Sequence, residues 1–112
     1  MFDFDPDYTF EWPVKVDHPG GEKQQFIGIF RQPEDEKDLF ERAEGENLAD
    51  IIGEMRDRTA RCLVGWREIR VKGGGELPFT EENRDRLLKI RAIRLAAYNA
   101  LCEGIVGGRE KN

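Results

Sequence analysis

Residues 9–31 read TFEWPVKVDHPGGEKQQFIGIFR, and the alternation in this stretch decides the fold class. In its first part Phe10, Trp12, Val14 and Val16 fall on one face, the period of two that a half-buried strand requires. Asp17-His18-Pro19-Gly20-Gly21 then gathers turn formers in consecutive positions. The second part, residues 23–31, carries Phe26, Ile27, Ile29 and Phe30. Two such runs around a Pro-Gly-Gly turn predict an antiparallel β-hairpin. Pro13 has no N–H to give to a ladder, so the first strand is expected at a sheet edge. Upstream, residues 1–8 (MFDFDPDY) alternate aromatic and acidic side chains and are broken by Pro6, the pattern of a loose arm.

Downstream the period changes from strand to helix. Pro33 opens an acidic helix expected over residues 34–44, with Glu34, Asp35 and Glu36 at the positive end of its dipole and Gly45 ending it. Asn47 can cap a second, longer helix. On it Leu48, Ile51, Ile52, Met55, Thr59, Cys62, Leu63 and Trp66 share one face at about 100° per residue. A short strand over residues 67–72 and a Gly73-Gly74-Gly75 turn follow. Thr80, with Glu81 and Glu82 behind it, caps a last helix lined by Leu87, Ile90, Tyr98, Leu101 and Ile105. Gly104 is expected to fray its end, and residues 107–112 to form a disordered tail. The expected fold is α+β and mostly helical: a hairpin over 9–31 and about three helices within 34–106, forming one domain over residues 1–106.

The 112 residues fit a single domain, and 37% of them are charged against a usual figure of about 25%. No apolar run approaches the roughly 20 residues that span a bilayer, and no charged-then-apolar leader opens the stretch. A cytoplasmic protein that binds no membrane is expected. Cys62 and Cys102 lie far apart, and with one His they are too few for a structural zinc site. The net charge of −5 is unevenly spread: residues 1–47 hold 13 acids and 5 bases, residues 48–112 hold 10 acids and 13 bases. Such a division fits a solvated surface whose charges happen to segregate, with a head-to-tail homo-oligomer or an oppositely charged partner as the alternative.

Motifs for chemistry fail one by one. Asp3, Asp5 and Asp7 match the first positions of a calcium loop, but Tyr8 stands where its Gly is needed and Val14 where its Glu is needed. The glycine triplet lacks a following Gly-Lys-Ser/Thr, and Glu81 and Glu82 would repel phosphate. The chain has no serine, and its one histidine, His18, sits in the predicted turn, so no nucleophile–base pair can be assembled. Neither an enzyme nor a bound cofactor is expected. Bases gather over residues 56–72, yet the acidic balance of the whole chain disfavours nucleic acid as a partner. Arg91 and Arg94 fall inside the apolar arc of the last helix. A buried lone guanidinium is costly, so each must snorkel, pair with an acid of the first half, or meet a partner. With the exposed aromatics of the arm, Phe2 and Phe4, they are the candidate partner-binding residues.

Leu63-Val64-Gly65-Trp66, a polar run, Gly73-Gly74-Gly75-Glu76-Leu77-Pro78-Phe79-Thr80, then Glu82-Asn83 and Leu87-Leu88, resemble the tail assembly chaperones of long-tailed phages and prophages. In that family a Val-x-Gly-Trp closes one helix, and a Gly-rich turn with a Leu/Ile-Pro-Phe-Ser/Thr element starts the next. The Trp12-Pro13-Val14 strand and the Phe-rich strand after it also resemble how such chains begin. Physically the element is a clip, with Trp12, Trp66, Leu77, Pro78, Phe79 and Thr80 as its candidate structural anchors. Phe79 is placed for a staple-like contact that sets the angle of the last helix. Arg91 and Arg94 depart from the family by making that helix more basic, which points to a different partner surface. The resemblance implies a non-enzymatic factor of the host cytoplasm, absent from the mature virion. It would bind the tape measure protein and help recruit tail tube subunits around it. A tail-completion or connector component of the virion is the alternative.

Overall fold

A computed structural model describes residues 1–35, 37 and 47–107. Most of the helix expected over 34–44, and residues 108–112 of the expected tail, lie outside the described residues. Strands β1 (Thr9–Asp17) and β2 (Lys23–Arg31) pair antiparallel in unbroken register, from Thr9 opposite Arg31 to Asp17 opposite Lys23. The turn closes with the His18 N–H on the Glu22 carbonyl at 2.8 Å, and Gly20 and Gly21 take φ of 94° and 95°. Those angles suit glycine alone among common residues. The sheet order is β1-β2-β3, which leaves the Pro13 strand at an edge as expected.

Helix α1 (Leu48–Cys62) starts where Asn47 accepts the Asp50 N–H at 3.0 Å. It stops earlier than the apolar stripe predicts. Leu63–Arg67 is a strand, β3, that pairs with the free edge of β2, and Arg67 ends it, so the separate strand over 67–72 is also corrected. The stripe cannot separate the two outcomes, because Cys62, Leu63 and Trp66 are buried either way. A bulge shifts the register between Ile29 and Phe30, so Leu63 opposite Phe30 and Trp66 opposite Gly28 are both buried, while Gly65 lies against the Ile29 side chain. Burying the unpaired amides of β2 decides for the strand.

The last helix is two. α2 (Glu81–Leu88) is capped by Thr80, whose hydroxyl accepts the Asn83 N–H at 3.0 Å, and α3 (Arg91–Gly107) follows after a break at Lys89 and Ile90. Ile90, expected on the buried face, is 49% exposed at that break. No proline or glycine marks it in the sequence. The Arg94 guanidinium donates to the carbonyls of Leu88 at 3.2 Å and Lys89 at 3.3 Å, which satisfies groups the interrupted helix leaves open. Among the described residues Arg94 therefore has carbonyl partners, and the expected ion pair to the acidic half is not what holds it.

α3 lies across β1 on the small buried side chains Ala96, Ala97 and Ala100. Gly104 does not fray the helix. It belongs to α3, and a Cβ there would collide with the ring of Phe10, itself stacked on Phe30 with centroids 5.7 Å apart. Gly107 closes α3.

Two stability measurements check this packing. Gly104→Ala is expected to lower stability by about 1–3 kcal/mol, because crowding of Phe10 outweighs the roughly 1 kcal/mol of helix propensity gained. Urea unfolding with unchanged or raised stability would mean the ring moves at no cost. Arg94→Leu keeps an apolar stem but loses the carbonyl contacts, and a loss of about 1–3 kcal/mol is expected in the same assay.

Candidate partner-binding groove

α1 and α3 face one another through two stripes. On α1, Leu48, Ile52, Met55 and Thr59 recur at helical spacing; on α3, Arg91, Arg94, Leu95 and Tyr98 do the same. Together they line an open, largely apolar groove of about 160 Å³. Thr59 forms part of its floor, fully buried, with its hydroxyl donating to the Met55 carbonyl at 3.0 Å. At the rim Leu48 is 70% exposed and Leu95 40% exposed. These residues lie on the stripe that reads as core in the sequence. Towards the N-terminus of α1 Leu48 is exposed and Ile51, Ile52 and Met55 are half-buried, so its apolar face is only partly used. Leu48 in the first turn, directly after the Asn47 cap, is the one signal that could have shown this.

The candidate partner-binding residues divide between two places. Arg91 and Arg94 both line the groove. Phe2 and Phe4 do not; they project from the arm, 86% and 79% exposed. The arm bends once, where the Tyr8 N–H reaches the Asp5 carbonyl at 3.2 Å and the Asp7 N–H reaches Asp5 Oδ1 at 2.9 Å.

The candidate anchors gather around Trp66. Its indole Nε1 donates to the Leu77 carbonyl at 2.9 Å, and its ring meets Phe79 edge-on with centroids 4.7 Å apart. Phe79 thus ties the entrance of α2 to β3. Pro78 is exposed, and its carbonyl accepts the Asn83 side-chain amide at 3.0 Å. Trp12 packs half-buried against the core on β1, away from the Leu77–Thr80 element in sequence.

A broader, open cleft of about 940 Å³ lies between the hairpin turn and the loop after β3, with His18, Glu22, Arg70 and Lys72 among its lining. Nothing in the sequence signalled it. Glu68 on its wall adopts φ of 70°, a left-handed conformation rare for a residue with a side chain. Elsewhere burial pushes the thiols of Cys62 and Cys102 up, away from the reactive thiolate. Burial likewise raises the Tyr98 hydroxyl, which also contacts Cys102. Among the described residues no group of His, Cys, Asp or Glu could hold a metal ion, and no helix is long and apolar enough to cross a membrane.

In comparisons with known protein families, curated proteins and solved structures, nothing matches this chain.

Truncating the hub of the clip has a defined expected cost. Trp66→Ala should destabilise the fold by about 3–5 kcal/mol, and Trp66→Phe, which removes mainly the indole hydrogen bond, by about 1–2 kcal/mol. Thermal and urea unfolding of both variants measure this. A Trp66→Ala variant of normal stability that fails to bind a partner would make Trp66 a binding residue instead.

Proposed function

We propose that this chain is a tail assembly chaperone of a long-tailed phage or prophage. It binds the tape measure protein, helps recruit tail tube subunits around it, and acts in the host cytoplasm without remaining in the mature virion. It performs no chemistry and needs no cofactor. The observation that supports this reading best is the clip: Trp66, Leu77 and Phe79, which carry part of the resemblance, are in contact, and Thr80 caps the helix that follows. Val64-Gly65-Trp66, however, lies on a strand and does not close a helix as in that family. A second support is the groove between α1 and α3, a largely apolar surface among the described residues of a highly charged chain.

The physical requirements of the task match these features. A long helical client exposes apolar surface, and covering it removes about 25 cal/mol per Å² of unfavourable contact with water. A groove with apolar walls and a charged rim does this locally, while the net charge of −5 keeps the complex dispersed.

Co-expression with the long, Ala-rich protein encoded nearby, taken as the tape measure, tests the reading. A tagged copy of this chain is expected to raise that protein's soluble fraction and to co-purify with it, and purified particles should lack the chain. An insoluble client with no complex, and the chain retained in particles, would establish the virion-component alternative.

A further inference from the structure

We propose that the break between α2 and α3 is a two-state hinge, held bent by Arg94. When its guanidinium leaves the Leu88 and Lys89 carbonyls, the two helices join into one continuous helix over residues 81–107, and α2 comes away from the body of the domain. The inference rests on this chain's own residues and stands whether or not the chaperone reading holds.

The backbone acceptors argue for it first. In an uninterrupted helix each carbonyl receives the N–H four residues on, so those of Leu88 and Lys89 would receive the amides of Ala92 and Ile93. They are the same two carbonyls that Arg94 takes, at 3.2 Å and 3.3 Å. The side chain thus stands in for the two backbone donors that continuity would supply, and the bent and straight forms compete for one pair of acceptors. The chain is helical right up to the break. The Lys89 N–H still reaches the Asp85 carbonyl at 3.2 Å, and Lys89 itself has φ of −74° and ψ of −22°. On the far side the Arg94 N–H reaches the Ile90 carbonyl at 2.9 Å, so the departure from helix centres on Ile90.

Local preference favours the straight form. Ile90 holds at α3 the place that Asn47 and Thr80 hold at α1 and α2, since its carbonyl accepts the N–H four residues on, but it has no side-chain oxygen to cap the open amides. The first turn of α3 carries no acid, and Arg91 and Arg94 stand there at the positive end of the helix dipole. On one continuous helix Leu87, Ile90, Arg94, Tyr98, Leu101 and Ile105 fall within about 80° of the circumference, which returns the exposed Ile90 to the apolar stripe. Tertiary packing favours the bent form. Leu88 is fully buried, and Phe79, directly before the Thr80 cap, is held on Trp66. Opposed local and tertiary preferences of this kind are what a bistable element requires. The straight form gives up the burial of Leu88, so it is the minor state of the isolated protein, and a partner that covers Leu87, Leu88 and Ile90 selects it. Arg94 also lines the α1/α3 groove, so a group that engages the guanidinium there loosens the hinge.

Chemical-exchange saturation transfer NMR on the full chain reads the minor state directly. Ile90, Arg91, Ala92 and Ile93 are expected to exchange with a state populated at about 0.1–10%, in which the Ile90 Cα shift moves to the helical value. Arg94→Leu removes the clamp, and Arg94→Lys keeps the charge but loses the fork that reaches two carbonyls. Each should raise that population about tenfold. Arg91→Pro should abolish the exchange, because proline fits the first position of α3 but bars a helical Ile90 and a continuous helix. No exchange in the native chain or in either Arg94 variant overturns the proposal. So does a minor state with coil shifts at Ile90, which is fraying, or a population that neither Arg94 variant changes. A helical minor state that persists in Arg91→Pro overturns it as well.

Discussion

Trp66 stands where the sheet, the loop that follows it and the helical layer meet. Its backbone pairs with Gly28 on β2, its indole N–H is held by the Leu77 carbonyl, and its ring abuts Phe79. Gly28 has to be a glycine, since a Cβ there would come within 2.6 Å of the Phe30 ring. The strand that receives Trp66 is thus shaped by the same aromatic packing that Trp66 completes. Anchoring Leu77 and Phe79 fixes where α2 begins, and the Thr80 cap fixes its direction. The location of α3, and with it one wall of the groove, follows from that anchor.

Between α2 and α3 the chain solves a second problem, a turn without a turn residue. Helix breaks usually rest on proline or glycine, and this one has Lys89 and Ile90. Arg94 reaches back to the Leu88 and Lys89 carbonyls, doing with a side chain what water or a capping glycine does elsewhere. This explains an arginine in an apolar arc without a buried unpaired charge. It also leaves the guanidinium at the groove wall, where the same cation serves the fold and faces whatever enters.

What the sequence by itself determined is local. The β-hairpin and its edge strand follow from alternation, turn residues and Pro13; the starts of α1 and α2 follow from Asn47 and Thr80, whose side chains bond within their own first turns. The candidate residues were also legible, since two arginines in an apolar arc and two aromatics among aspartates are visible as anomalies. Only the tertiary structure decided the rest. Leu63–Arg67 satisfies a helical stripe and a strand equally well, and the open edge of β2 selected the strand. The α2–α3 break has no local marker because the groups that stabilise it, Arg94 and two carbonyls, are brought together by the bend itself. Gly104 reads as a weak point until Phe10, far away in the sequence, is placed against it. Leu48, Ile52 and Met55 count as core by periodicity, yet periodicity records which face of a helix is apolar and not whether a neighbour reaches far enough to cover it.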